Sequence, residues 1–155
     1  MIRRIYELSS FFRSAIEAAV IERDLTVTPF LSYPRGCCDM GSELLAQYLF
    51  ENNIETEMIN GTCKMDNAHH VWLCTKDEIT IDITADQFNG QEGMPSNIKP
   101  IIVGNEAPIH KIFSYERIIE KPICLMHPIY QDVDWTNVRE CKLCEAYHIL
   151  LDKYL

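Results

Sequence analysis

The N-terminal part of the chain alternates apolar and polar positions with the period of an α-helix. The apolar stripe includes Ile5, Leu8, Ala19 and Val20, and the charged side chains lie mainly off it. Such a pattern is typical of an amphipathic helix with one buried face. The sequence therefore predicts a core-packing helix over residues 3–23.

A second helical pattern follows the loop Tyr33-Pro-Arg-Gly-Cys-Cys. A proline and a glycine interrupt regular structure in this loop. Beyond it, apolar residues recur at helical spacing from Met40 to Asn52. The sequence therefore predicts a helix whose first turn carries a cysteine pair, Cys37 and Cys38.

The middle of the chain has the composition of β-strands separated by turns. Strands are expected at residues 55–60, 68–75, 79–84, 101–103 and 110–113, with irregular structure elsewhere in 86–108. The second and third of these strands are expected to form a hairpin. A final helix is predicted over residues 137–154, with Thr136 as its N-cap. Together these elements predict an α+β fold in a single domain, residues 1–155.

Composition narrows the class of partner. The chain has 155 residues, of which 47% are hydrophobic, and this is enough for one domain with a substantial core. The net charge of −9 argues against general nucleic-acid binding, because phosphate contacts need a basic face. No apolar run approaches membrane-spanning length. We therefore expect neither nucleic-acid nor membrane partners.

The cysteine content bears on the compartment. Seven cysteines are an odd number and a high one. The N-terminus is basic but lacks the uninterrupted apolar core and cleavage site of a secretory signal. Cysteines in a reducing compartment remain mostly as thiols. We therefore expect a cytoplasmic protein, with a delivered effector as the open alternative.

The cysteine pair at a helix start is the main sign of chemistry. Free N–H groups and the helix dipole favour an anion there, and a thiolate is the better nucleophile. Downstream, His70 supplies a general base and Asp82 a carboxylate that orients the imidazole. Because Cys38 is better placed on the first turn than Cys37, we expect Cys38 to be the nucleophile.

The predicted hairpin gives a specific pairing. If Lys76 is the centre of a three-residue turn, positions that sum to 152 face each other, and His70 lies opposite Asp82. Directly opposed residues have Cβ atoms about 4.5–5.5 Å apart. Alternation also puts His70 and Trp72 on the same face of the sheet. A two-residue turn would instead shift the register by one.

These residues resemble the transglutaminase-like branch of the papain-like cysteine enzymes. The matching pieces are Arg35-Gly36-Cys37-Cys38 before a helix, His70-Val71-Trp72 in one strand and Asp82-Ile83-Thr84 in the next. Arylamine N-acetyltransferases share the layout, with an Arg-Gly-Gly-x-Cys loop whose second glycine is missing here. The resemblance covers about residues 33–90. It implies a papain-like or transglutaminase-like core, with the helix-start nucleophile packed on a small antiparallel sheet.

What the resemblance implies about activity is thiol chemistry on an amide or acyl group. We expect a cysteine-dependent hydrolase (peptidase, amidase or deamidase) that uses Cys38, His70 and Asp82, without a cofactor, on a protein or peptide substrate. An acyltransferase or transglutaminase is one alternative, and a non-catalytic protein-binding module of the same fold is another. Hydrolysis is preferred to transfer because nothing in the sequence marks a coenzyme A site.

The sequence assigns only part of the oxyanion hole. The backbone N–H of Cys38 is the natural first donor. Tyr33, Arg35 and Gln87 are the polar candidates for the second donor, and Trp72 is a further candidate for contact with substrate. A papain-type glutamine several residues before the nucleophile is missing.

A zinc site is the competing interpretation of the C-terminal cysteines. Cys124-x-x-His127 and Cys141-x-x-Cys144 resemble a zinc-knuckle ligand set, and His148 lies one helical turn beyond Cys144. However, Cys141 and Cys144 fall inside a helical apolar pattern, where cysteines act as small core residues. We therefore expect no bound metal.

Overall fold

The computed structural model describes residues 1–123 and 136–155. In these residues the α-helices are α1 (Ile2–Ile21), α2 (Cys38–Glu51), α3 (Pro108–Ile112) and α4 (Val138–Lys153). The strands are β1 (Glu57–Thr62), β2 (His69–Cys74), β3 (Thr80–Asp82), β4 (Ile102–Gly104) and β5 (Glu116–Glu120). They form one sheet in the order β4-β3-β2-β1-β5, and each neighbouring pair is antiparallel. The predicted α+β class is confirmed.

The sheet separates two apolar clusters, because successive side chains of a strand point to opposite faces. Val71 and Leu73 of β2 pack in the larger cluster together with residues of α1, α2 and α4. Trp72, which lies between them, packs in the smaller cluster with Phe88 and Phe113. Strand β2 is therefore buried on both faces, and this fixes its position firmly at the centre of the fold.

The start of α2 is held against β2. The helix begins at Cys38, and Cys37 is its N-cap residue. Gly36 has a φ of +69°, a left-handed conformation that glycine adopts without strain. The hydroxyl of Ser42 donates a hydrogen bond of 3.2 Å to the carbonyl of Val71. The turn before the helix and this bond together place the first residue of α2 beside the strand.

The hairpin of β2 and β3 has a different register from the predicted one. Its turn is formed by residues 76–78 and is closed by a backbone hydrogen bond of 3.0 Å between the flanking residues. Leu73 pairs with Ile81, so that paired positions sum to 154 rather than 152. Glu78 takes a left-handed φ of +59°, which closes the turn one residue later than expected. Because the register shifts by two residues, every side chain keeps its predicted face.

The prediction of a strand at residues 110–113 is wrong. Most of these residues belong to the single-turn helix α3. Pro108 lies in its first turn, where the fixed φ of proline suits a helix and no N–H is needed. Ala107 before it is extended, with φ −83° and ψ 165°. This turn buries His110 completely.

Strand β5 has no counterpart among the predicted elements. All five of its residues are exposed, and two isoleucines are adjacent, so the alternation that marks a half-buried strand is missing. The strand exists because β1 offers it backbone partners, with Ile59 opposite Ile119 and Met58 opposite Glu120. Pairing with a distant strand therefore determines its conformation.

The three long helices agree with the predicted ones to within two residues at each end. The N-cap of α4 is Asn137 rather than Thr136, because the side chain of Asn137 accepts hydrogen bonds from the N–H groups of Arg139 and Glu140. Across the described ranges, none of the helices combines the length and hydrophobicity that a bilayer-spanning segment requires.

Candidate active site

A short, buried hydrogen bond joins His70 and Asp82. Nε2 of His70 lies 2.6 Å from Oδ2 of Asp82, and the two side chains are 0% and 1% exposed. The register places Trp72 rather than His70 directly opposite Asp82. The pair is therefore diagonal, and diagonal neighbours on one face of a sheet are within reach of long side chains.

The carboxylate of Asp82 accepts hydrogen bonds on both of its oxygens. Oδ1 accepts from the backbone N–H of Thr84 at 2.8 Å and from its hydroxyl at 3.3 Å. Oδ2 lies 3.0 Å from Nε2 of a second histidine, His110, besides its contact with His70. Charge-assisted bonds of this kind fix the orientation of a buried carboxylate.

The surroundings favour the charged forms of both partners. Burial alone would raise the pKa of Asp82, but the charge of His70 and the hydrogen bonds from His110 and His70 hold it well below its usual range. Burial would also lower the pKa of His70, yet the carboxylate and the thiol of Cys38 raise it to about 9. These shifts favour a carboxylate and an imidazolium at neutral pH.

Cys38 is half-buried and occupies the first position of α2. Burial opposes ionisation of its thiol, but the interaction with His70 outweighs burial and lowers the pKa of Cys38, with a smaller effect from the backbone of Val71. Nε2 of His70 is bonded to Asp82, which leaves Nδ1 for the thiol. Within the described residues Nδ1 has no partner in full hydrogen-bond geometry. The thiol and the imidazole shift each other's pKa, but they are not aligned for a hydrogen bond.

Cys37 has a different environment from its neighbour. Its side chain is fully buried. Its thiol donates weak hydrogen bonds to the carbonyls of Pro29 at 3.5 Å and Arg35 at 3.4 Å. Burial, together with the nearby thiol of Cys38, raises the pKa of Cys37 to about 12. Cys37 is therefore a poor nucleophile at neutral pH, and the geometry favours Cys38.

Aromatic rings enclose the imidazole of His70. The ring centroids of Phe88, Phe113 and Trp72 lie 5.0, 5.4 and 5.6 Å from that of His70. Trp72 is only 1% exposed, so this candidate for substrate contact lies beneath the site rather than at its surface. Apolar walls keep water away from the pair and strengthen its electrostatic interactions.

The two polar candidates in the loop before α2 lie in different surroundings. The hydroxyl of Tyr33 donates a hydrogen bond of 2.9 Å to the carbonyl of Ile83, so its donor is already committed. Arg35 is exposed on the surface of the loop. Neither position offers a buried, uncommitted donor for an oxyanion.

Gln87 is the candidate with an uncommitted donor. Its Oε1 accepts a hydrogen bond of 3.1 Å from the N–H of Gly36, two residues before Cys38. The residue is 8% exposed, and among the described residues its Nε2 has no hydrogen-bond partner. A buried donor without a partner destabilises a fold by roughly 1–3 kcal/mol and requires a reason.

Arg13 clamps the segment that follows Asp82, and sequence reasoning missed it. Its guanidinium makes two bonds of 2.8 Å to the carboxylate of Asp86 and further bonds to the carbonyls of Ile83 at 2.8 Å and Pro100 at 2.6 Å. The residue is 6% exposed, although it lies on the mostly apolar face of α1. This clamp holds the 3₁₀ turn Ala85–Phe88, which carries Gln87.

The side chains of His70, Asp82 and His110 also form a cluster of potential metal ligands, with their ligand atoms within 4.8 Å of one another. The hydrogen bonding does not suit a metal. The backbone N–H of Ala107 donates to Nδ1 of His110 at 3.0 Å, so the ring proton is on Nε2. A metal bound at Nε2 would require a doubly deprotonated ring. The three side chains form a hydrogen-bonded cluster in this structure.

The alternative zinc set is only partly described. Cys124 and His127 lie outside the described residues. Cys144 is 2% exposed and packs in the larger apolar cluster. Cys141 is half-buried on the same helix, α4. The position of Cys144 is that of a small core residue.

His110 is the main site residue that sequence reasoning missed. It contacts Asp82 across 28 positions of sequence, in a segment predicted to be a strand. The available signal was a histidine in the stretch Ile109-His110-Lys111-Ile112, where a flanking isoleucine on each side favours burial. That signal does not identify a partner, since only the turn at Pro108 brings the ring to the carboxylate.

No protein-family model matches this chain, and comparison with curated proteins and with solved structures finds no similar protein.

Proposed function

We propose that this protein is a cysteine-dependent hydrolase that cleaves an amide or thioester through a covalent thioester on Cys38. The observation that carries the proposal is the buried hydrogen-bonded pair of His70 and Asp82, together with a half-buried thiol at the start of α2 whose pKa His70 lowers. A thiolate, a proton carrier and an orienting acid are the three parts that nucleophilic acyl chemistry needs.

The same arrangement supports a papain-like or transglutaminase-like core. The nucleophile is the first residue of a helix that packs against an antiparallel sheet, and the base and the acid lie on two adjacent strands of that sheet. The order along the chain is Cys38, His70, Asp82, as in the family that the sequence resembles.

The acylation step follows from the charges. The thiolate of Cys38 attacks the carbonyl carbon of the substrate, and the electron pair of the C=O bond moves to the oxygen. When the tetrahedral intermediate collapses, the bond to the leaving group breaks and Nδ1–H of His70 donates its proton to that group. The products of this step are an acyl thioester on Cys38 and a neutral imidazole, still hydrogen-bonded to Asp82.

Hydrolysis completes the cycle. Nδ1 of His70 takes a proton from a water molecule, whose oxygen attacks the thioester carbonyl. The C–S bond breaks, the acid product leaves, and the thiolate of Cys38 and the imidazolium of His70 are restored. Asp82 remains ionised throughout, because its role is to stabilise the imidazolium and hold its tautomer.

Two donors are available for the oxyanion. The backbone N–H of Cys38 lies in the first turn of α2, where helix N–H groups have no partner within the helix. The Nε2 group of Gln87 is held near the same loop by the bond between its Oε1 and the N–H of Gly36. An uncommitted amide donor that is fixed in advance stabilises a developing oxyanion without reorganisation.

The test of this function is to trap the acyl-enzyme. Incubation with p-nitrophenyl acetate should give a rapid burst of nitrophenolate and an acetyl group on Cys38, identified by mass spectrometry. The Cys38→Ala variant should show no burst, while Cys63→Ala, which removes another buried thiol, should behave like the wild type. Acetylation spread over several cysteines without a burst would refute the proposal and favour a protein-binding role for the fold.

A further inference from the structure

We propose that His110 is a positioning residue of this site, whose neutral imidazole holds the carboxylate of Asp82 in line with His70. The proposal rests on the proposed function, since it assigns a role within the same site. It extends the arrangement to four residues: Cys38, His70, Asp82 and His110.

The hydrogen bonds define the tautomer of His110. Its Nδ1 accepts a hydrogen bond of 3.0 Å from the backbone N–H of Ala107, so Nδ1 carries no proton. The ring proton is then on Nε2, which lies 3.0 Å from Oδ2 of Asp82 and donates to it. Both nitrogens are occupied, so His110 stabilises the carboxylate and is not available as a base.

The ring is held firmly on all sides. It is 0% exposed and lies in the single-turn helix that starts at Pro108. Its centroid is 4.9 Å from the ring of Trp72, which also packs against His70. The backbone carbonyl of His110 accepts a hydrogen bond of 3.2 Å from the guanidinium of Arg117. A donor fixed in this way orients the acceptor that it contacts.

A neutral donor suits this position better than a cation. The carboxylate of Asp82 must attract the imidazolium of His70, and a second positive charge at 3.0 Å would weaken that attraction. The N–H of His110 instead stabilises the anion through a hydrogen bond and adds no charge. His110 therefore helps to keep the proton on His70, and through it the thiolate on Cys38.

The experiment compares His110→Gln with His110→Asn. The amide nitrogen of glutamine reaches the position of Nε2, whereas that of asparagine is one methylene short. We expect His110→Asn to lower the rate of Cys38 acylation by p-nitrophenyl acetate about tenfold. We also expect it to move the pH profile of iodoacetamide alkylation to higher pH, and His110→Gln to restore most of both. Equal behaviour of the two variants in both measurements would overturn the proposal.

If either variant fails to fold, a measurement on the wild-type protein tests the role of His110 instead. Long-range ¹⁵N–¹H NMR reports the tautomer of each histidine ring, and His110 should be neutral with its proton on Nε2. A protonated ring, or a proton on Nδ1, would overturn the proposal.

If Cys38 of the wild type shows no enhanced reactivity, the proposed function fails. If Cys38 of the wild type is reactive but its acylation and alkylation do not change in the variants of His110, only the role of His110 fails.

Discussion

The carboxylate of Asp82 lies 2.6 Å from the imidazole of His70, although the two residues are diagonal rather than directly opposite across β2 and β3. The same oxygen also lies 3.0 Å from Nε2 of His110, so that two imidazole rings contact one carboxylate oxygen.

Replacing Asp82 by asparagine should destabilise the fold and the site together. The asparagine amide puts an NH₂ group against either Thr84 or the two histidines, all of which are donors. A donor facing a donor in a buried site leaves both unsatisfied, so we expect a loss of about 3–5 kcal/mol in the free energy of unfolding. Urea denaturation of the variant and the wild type measures this loss in the free energy of unfolding.

The control for this variant is Asp77→Asn in the exposed hairpin turn. It should change the free energy of unfolding by less than about 0.5 kcal/mol. An Asp82→Asn variant as stable as this control would contradict the hydrogen-bonding scheme of the carboxylate.

Sequence reasoning singled out Cys38, His70 and Asp82 because each has a local signal. Cys38 follows a loop-to-helix transition, and His70 and Asp82 lie on the same face of a predicted hairpin. A register error of two residues did not separate the pair, since faces repeat every two residues along a strand. The catalytic role of these residues stays a prediction.

The residues that sequence reasoning missed depend on distant contacts. His110 meets Asp82 only because α3 forms, and Arg13 meets Asp86 from a helix 73 positions earlier in the chain. A local window shows Arg13 only as a charged residue of α1 and does not identify its partner. Strand β5 likewise exists through its pairing with β1. Tertiary partners, which sequence periodicity does not encode, decide all three features.

Gln87 should affect acylation of Cys38 and leave its alkylation unchanged. Gln87→Met removes the uncommitted NH₂ without adding a charge near the thiolate, although it also removes the oxygen that accepts from the N–H of Gly36. Acylation by p-nitrophenyl acetate passes through an oxyanion, and loss of one donor should slow it by roughly 10²–10³-fold. Alkylation by iodoacetamide forms no oxyanion. Equal slowing of both reactions would instead indicate damage to the thiol, and no slowing of acylation would exclude Gln87 as a donor.

Arg13→Met should loosen the segment after Asp82. It removes the ion pair with Asp86 and two bonds to backbone carbonyls in a largely buried location. We expect the free energy of unfolding to fall by about 3 kcal/mol. Arg3→Met serves as the control, because Arg3 forms an exposed pair with Glu7 on the same helix. Equal stability of the two variants would rule out the clamp.

His70 should remain protonated well above the usual range of histidine. Burial lowers its pKa, but the carboxylate of Asp82 and the thiol of Cys38 raise it to about 9. Since the folded-state pKa is raised, protonation of His70 stabilises the fold fully below about pH 6.5, and this contribution disappears as the pH rises through about 9. An NMR titration of the ring nitrogens measures this pKa. A midpoint near 6.5 would refute the buried ion pair.

The most direct test of the central claim is the pH dependence of iodoacetamide alkylation of Cys38, compared among the wild type, His70→Ala and His69→Ala. His69 is the exposed neighbour on the same strand and controls for loss of a histidine. The site predicts alkylation with an apparent pKa below the ordinary value of about 8.5 in the wild type and in His69→Ala, and a shift toward that value in His70→Ala. An ordinary thiol profile in the wild type, or one that His70→Ala leaves unchanged, would contradict an activated pair of Cys38 and His70.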